Sequence, residues 1–162
     1  MLKKAVTNKS YWPQDKYKQN IEAIKTLYVI EEDNRLATPD EQSILAKYSG
    51  WGGLATTFDS HNNKWSNEYH ELKNLLSPEE YASARESTPN AHYTSPVVIK
   101  TMYKALEQMG FKKGSILEPS MGVGNFFSHL PDSMKDSKLY GIELDDLSGR
   151  IAKQLYQRAD IT

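Results

Sequence analysis

Apolar residues recur along the first third of the chain at the spacing of one helix face. Tyr17, Ile21, Ile24, Leu27 and Tyr28 predict a helix over about 14–30. Glu31-Glu32-Asp33-Asn34 ends it in a solvated loop. Thr38-Pro39-Asp40-Glu41 predicts the next helix start, with Thr38 capping, Pro39 in the first turn and Glu41 closing a capping box. Ile44, Leu45 and Tyr48 supply its apolar face, and Gly50 is the expected stop. Ser77-Pro78-Glu79-Glu80 repeats the box and opens a helix through about Arg85. Between the two, Trp51-Gly52-Gly53-Leu54 reads as an aromatic anchor on a tight glycine turn. A polar loop is expected from Asp59 to Asn67.

The texture changes after Thr88-Pro89-Asn90. Ser95-Pro96 starts a helical pattern through Val98, Met102, Leu106 and Met109, stopped by Gly110. A turn at Lys112-Lys113-Gly114 leads into Ser115-Ile116-Leu117-Glu118, a short strand. Pro119 to Asn125 is a glycine-containing loop, and Phe126 to Leu130 a helix start. Lys138 to Glu143 reads as a second strand and Leu147 to Tyr156 as a helix. A third strand would begin at about Asp160. This alternation predicts a parallel α/β sheet behind a helical region.

Composition narrows the classes. The 162 residues are 38% hydrophobic and 25% charged, which suits a globular chain with a core. With no cysteine, a disulfide scaffold, a thiolate metal site and a cysteine nucleophile are excluded. No apolar run approaches the roughly 20 residues of a membrane span, and the polar start does not read as a secretory signal. A net charge of -1 leaves no electrostatic footprint for nucleic acid. His61, His70, His92 and His129 show no ligand spacing, so no metal site is expected. Ser120 lacks the Gly-x-Ser-x-Gly elbow of a hydrolase.

The stretch that carries chemistry is Ile116 to Phe126. A turn directly after a parallel strand sits at the carboxyl edge of the sheet, where doubly wound folds bind ligands. Gly122 and Gly124 let the backbone approach a ligand closely. The dinucleotide fingerprint needs a third glycine, and a phosphate loop needs a following Gly-Lys-Ser/Thr; neither is present. An ordinary βα turn is the competing reading of these glycines alone. A second acid, Glu143, ends the next strand 25 residues after Glu118. That offset is near the roughly 20 residues that place an acid on a ribose. Glu118 could face an ammonium, and a ligand with a ribose at one end and an ammonium at the other is S-adenosyl-L-methionine.

Glu118-Pro119-Ser120-Met121-Gly122-Val123-Gly124-Asn125-Phe126 resembles the cofactor motif of amino-methylating DNA methyltransferases, Asp-Pro-Ala/Ser-x-Gly-x-Gly-x-Phe. His92-Tyr93-Thr94-Ser95-Pro96 is similar to that family's Tyr-Thr-Pro element, with a serine inserted. Tyr140-Gly141-Ile142-Glu143-Leu144-Asp145 resembles its Gly-x-Glu-x-Asp motif. The resemblance implies a Rossmann-like sheet of about seven strands, of which this chain supplies the first two or three. It also implies that Tyr93, Thr94, Pro96, Glu118, Pro119, Ser120, Gly122, Gly124, Asn125, Phe126 and Glu143 surround S-adenosyl-L-methionine, with Glu143 on the ribose. Asp145 and Asp146 are expected only to start a helix.

Leu36-Ala37-Thr38-Pro39 and Tyr48 to Leu54 resemble the lead-in of large phage and conjugative-element methylase–helicase proteins of Swi/Snf type. On that reading, residues 1–88 are a helical accessory region and 89–162 the start of the cofactor-binding domain. DNA would be the partner of the full-length protein, in the cytoplasm, with adenine-N6 as the methylated atom. The family's Asn/Asp-Pro-Pro-Tyr/Phe motif, which holds a base rotated out of the duplex, is absent. The expectation is therefore an inactive fragment of a larger enzyme that binds cofactor weakly or not at all. The alternative is a non-catalytic module that docks DNA or a protein.

Overall fold

The computed structural model describes residues 13–89 and 93–162, which form two compact units divided at 92/93. His92, the first residue of the His92-to-Pro96 element, lies outside the described residues.

The first unit is helical. Helix α1 spans Pro13–Glu32 and buries Tyr17, Asn20, Ile21, Ile24, Leu27 and Ile30, a stripe at helix period. Each aliphatic side chain so placed contributes about 2 kcal/mol of burial. Tyr28 lies at the margin of that stripe and donates through its hydroxyl to Glu80 at 2.7 Å. Asn20 is the polar member of the core. Its Nδ2 donates to the Gly50 carbonyl at 2.8 Å, and its Oδ1 accepts the Ser49 N–H at 3.0 Å. Lys16 donates to the Gly52 carbonyl at 2.6 Å, so α1 grips the glycine turn from two positions. Trp51 and Leu54 are 1% exposed. The Trp51 ring meets Phe58 edge-on at 5.5 Å, and Trp65 meets Tyr17 at 6.0 Å. Trp51 and Trp65 are core residues, with no face open for stacking on a base.

Helix α2, Pro39–Leu45, starts as its capping box predicts. The Thr38 hydroxyl accepts the Glu41 N–H, and the Glu41 carboxylate accepts the Thr38 N–H at 2.8 Å. Arg35 adds a fork of two 2.7 Å bonds to the same carboxylate. With the Arg35 fork as the largest cause, this holds Glu41 down at about 2. Replacing Thr38 with alanine should cost this unit about 1 kcal/mol. A urea titration followed by tryptophan emission checks it, and an unchanged midpoint would show the cap to be dispensable.

Helix α2 ends before Gly50, in contrast to the expected stop. Lys47 and Tyr48 donate to carbonyls three residues back, at 3.0 Å each, and this tighter winding ends the helix. The expected loop from Asp59 to Asn67 is also more ordered than predicted. It holds a 3₁₀ turn at Asn63–Trp65 and runs into helix α3, Ser66–Leu75. Helix α4, Pro78–Ser87, opens with the second complete capping box.

The second unit mixes helix and sheet. Helix α5, Pro96–Gln108, is capped by Ser95. It packs through Ile99 and Tyr103 against Met134 and Phe126. The stripe picked out by periodicity, Val98, Met102, Leu106 and Met109, stays open, up to 82% at Met109. The buried stripe is the neighbouring one.

Strands β1 (Ser115–Glu118), β2 (Lys138–Gly141) and β3 (Asp160–Ile161) form a parallel sheet in the order β1-β2-β3. Glu118 lies opposite Gly141, and Gly141 opposite Ile161. Strand β2 stops at Gly141, short of Glu143. Helix α6, Asn125–Ser128, and helix α7, Asp146–Leu155, lie in the two crossovers. Met121, Phe127, Ala152 and Ile161 form the core beside the sheet. Among the described residues, no helix is long and apolar enough to cross a membrane.

Candidate functional site

The parallel sheet brings the carboxyl ends of β1 and β2 together, and with them the two acids. Glu118 is the last residue of β1 and is 9% exposed. Its Oε1 accepts the Phe126 N–H at 3.5 Å, a long and weak bond at the start of α6. Its Oε2 is buried and has no hydrogen-bond partner. Burial pushes the carboxyl up to about 7. The Phe126 and Phe127 N–H groups pull it down, and the Glu143 charge adds to the rise.

Glu143, two residues beyond β2, is held firmly. Its Oε2 accepts the Gly122 N–H at 2.6 Å, and its Oε1 accepts the Asp145 N–H at 2.9 Å. One carboxylate thus ties the glycine loop to the turn before α7. Each oxygen keeps a further lone pair, so the group can still accept two hydroxyl donors. The backbone reinforces the arrangement. Met121 N–H donates to the Ile142 carbonyl at 3.1 Å, and Ile142 N–H to the Glu118 carbonyl at 3.0 Å.

The loop over this end is shaped by two left-handed glycines, Gly122 at φ 54° and Gly124 at φ 80°. Tyr93 lies against Gly122, its ring 3.5 Å from where a Cβ would stand. Tyr93 keeps 43% of its surface open, yet its hydroxyl is pushed up to about 12, first by burial and then by the Asp145 and Glu143 charges.

The other expected residues occupy less central places. Thr94, Pro119 and Ser120 are exposed, and Pro96 is in the first turn of α5. The Asn125 carbonyl accepts from Ser128 Oγ at 2.7 Å and lies 2.8 Å from His129 Nδ1. Phe126 packs its ring on Tyr103 at 6.3 Å and receives the Tyr103 hydroxyl on its carbonyl at 3.0 Å. It therefore supports the loop from the core side. Asp145 caps α7 by accepting the Ser148 N–H at 3.0 Å.

Two residues outside the expected set also build the site. Tyr156, at the end of α7, lays its ring over Gly124 and donates its hydroxyl to the Gly124 carbonyl at 2.7 Å. Met121 is buried, with its sulfur over Gly141 where a Cβ would collide. No pattern in the sequence singles out Tyr156, since its role depends on a partner 32 residues away.

The chemistry on offer is acceptance of hydrogen bonds. One carboxylate is anchored with spare lone pairs, and a second is buried with one oxygen unpartnered. Both border a backbone that a ligand can approach closely. A buried carboxyl oxygen without a partner costs roughly 1–3 kcal/mol until a donor arrives. Among the described residues, no group of His, Asp or Glu has the arrangement of a metal site. Set against family models, curated proteins and solved structures, the chain gives no match.

Proposed function

We propose that residues 93–162 are a cofactor-binding part of a Rossmann-like, S-adenosyl-L-methionine-dependent DNA methyltransferase acting on adenine-N6. The proposal extends to a parent protein of methylase–helicase type, working on DNA in the cytoplasm. The observation that supports it most is the buried, partnerless Oε2 of Glu118 beside the anchored Glu143. An ammonium would complete the first group, and a ribose diol would use the spare lone pairs of the second. Gly122 and Gly124 would lie under the ligand, and Tyr93 would flank it. When bound, S-adenosyl-L-methionine supplies an electrophilic methyl group. The residues of this chain bind and orient that ligand, and no Asn/Asp-Pro-Pro-Tyr/Phe motif is present to hold an acceptor base.

The test is an amide NMR titration with S-adenosyl-L-methionine, which reads even millimolar binding. Shifts should concentrate at Gly122, Gly124, Phe126 and Glu143. Glu143→Ala should weaken binding at least tenfold, because two hydrogen bonds to a charged group are lost. Of the weak or absent binding expected from the sequence, the proposal commits to weak binding, so a silent spectrum at millimolar ligand, or equal binding by the variant, rules the assignment out. A second reading, a non-catalytic interaction module, draws on the open stripe Val98, Met102, Leu106 and Met109 of α5. It predicts that silent spectrum.

A further inference from the structure

The helical unit contains a cleft that the cofactor reading does not use. It has a volume of about 500 Å³, within the range of small-molecule sites, and it opens between α3, α4 and the Phe58–His61 turn. Two tyrosines line it. Tyr69 stands near Tyr81, whose hydroxyl is pushed up first by burial and then by Tyr69, and the Tyr81 ring is fixed edge-on against Phe58 at 5.4 Å. Lys73 Nζ stands 5.8 Å from the Tyr69 centroid and 5.7 Å from the Tyr81 centroid. Arg85 reaches the same place, close enough for its charge to act on the Tyr81 hydroxyl.

The charge balance of this cleft gives it a direction. Among the described residues, neither Lys73 nor Arg85 has a carboxylate within ion-pair distance. One acid, Asp59, also lines the cleft. Its Oδ1 accepts the His61 N–H at 2.9 Å and lies 3.5 Å from His61 Nδ1. Two cations against one acid leave the cleft net positive, and beside two aromatic rings with polar hydroxyls they are suited to an anion attached to a flat ring. A guanidinium can meet two phosphate oxygens at once, a lysine adds a mobile charge, and tyrosines supply hydroxyl donors and a stacking surface.

We propose that this cleft, built by Tyr69, Lys73, Tyr81 and Arg85, binds the phosphate of a nucleotide. The nucleotide is either free or one unit of a single-stranded nucleic acid. The proposal is independent of the cofactor reading, because every lining residue belongs to the helical unit.

Calorimetry on the whole chain, with adenosine monophosphate, inorganic phosphate and a short single-stranded oligonucleotide as probes, tests it. Arg85→Gln and Lys73→Gln should each weaken nucleotide binding about five- to tenfold, as expected for losing one charged hydrogen bond at an open site. Both side chains are exposed, so both variants should keep the wild-type circular dichroism. Binding of the monophosphate alone identifies a free nucleotide as the source. Oligonucleotide binding with a salt slope that falls by about one in each variant identifies a nucleic-acid strand. In unsubstituted protein, amide shifts should fall in 58–61 and 69–88. Glu143→Ala should leave all of this unchanged, which separates the cleft from the sheet-end site. Absence of binding by every probe, binding that both variants retain in full, or shifts confined to 93–162 would overturn the proposal.

Discussion

Gly124→Ala is expected to cost the 93–162 unit about 2–4 kcal/mol, combining a left-handed backbone with an occupied Cβ position. At φ 80° an L-residue is strained, and the added methyl would enter the Tyr156 ring. That ring cannot step aside cheaply. Its hydroxyl is held by the Gly124 carbonyl at 2.7 Å, and its edge packs on Phe127 at 5.4 Å. Gly122→Ala provides the internal control. Its φ of 54° carries the same backbone strain, but the Cβ would sit 3.5 Å from Tyr93 in ordinary contact. It should cost only about 1–2 kcal/mol. Residues 93–162 contain no tryptophan, so the readout is exchange of sheet amides such as Ile142 and Thr162, while tryptophan emission should not move. If the two alanine variants cost the same, Tyr156 is not the constraint.

Glu118→Gln should make the same unit more stable above neutral pH and less able to hold a cationic ligand. The folded carboxyl titrates at about 7 against an ordinary value of 4.5. The folded state therefore binds the proton more tightly than the unfolded state does. The associated stability is fully present below pH 4.5, declines as the pH rises through 7, and is absent above it. Over that span the loss is about 3 kcal/mol, at 1.36 kcal/mol for each unit of pKa difference. Glutamine has no such titration, so its advantage should be largest at pH 8 and vanish near pH 4.5. Urea titrations of both proteins between pH 4.5 and 8, followed by amide exchange in the sheet, check this. Parallel stability curves would contradict the buried, raised carboxyl. Under the proposed function the same substitution weakens S-adenosyl-L-methionine binding, because a carboxylate facing an ammonium becomes an amide. A buried acid that costs stability until a ligand meets it is the expected signature of a binding group.

The parts of the fold legible in the sequence are those set by neighbours along the chain. Thr38 and Glu41, or Ser77 and Glu80, can satisfy one another only three residues apart, so the boxes announce both helices. The stripe of α1 is legible because Ile21, Ile24 and Leu27 recur at the helix period. The strand–loop–helix order after Gly114 reads the same way, as does Glu118 at the end of β1, whereas Glu143 falls two residues past the end of β2. Helix α3 was illegible because only Leu72 of its ten residues is buried, and one apolar position makes no period.

Other features depend on what comes near from far along the chain. Helix α5 carries two adjacent apolar stripes, and the placing of Met134 and Phe126 decided that Ile99 and Tyr103 would be covered. Asn20 looks like a solvated helix residue until Gly50 and Ser49 meet its amide. The sequence by itself determined the capped helices, a parallel sheet of local β-turn-α units and the acid that ends β1. Only the tertiary structure decided that Glu143 ties down Gly122, that Tyr156 closes over Gly124, and that one oxygen of Glu118 is buried without a partner. Burial and hydrogen-bond partnership are properties of a neighbourhood, and here those neighbours are 21 to 32 residues apart for the first two.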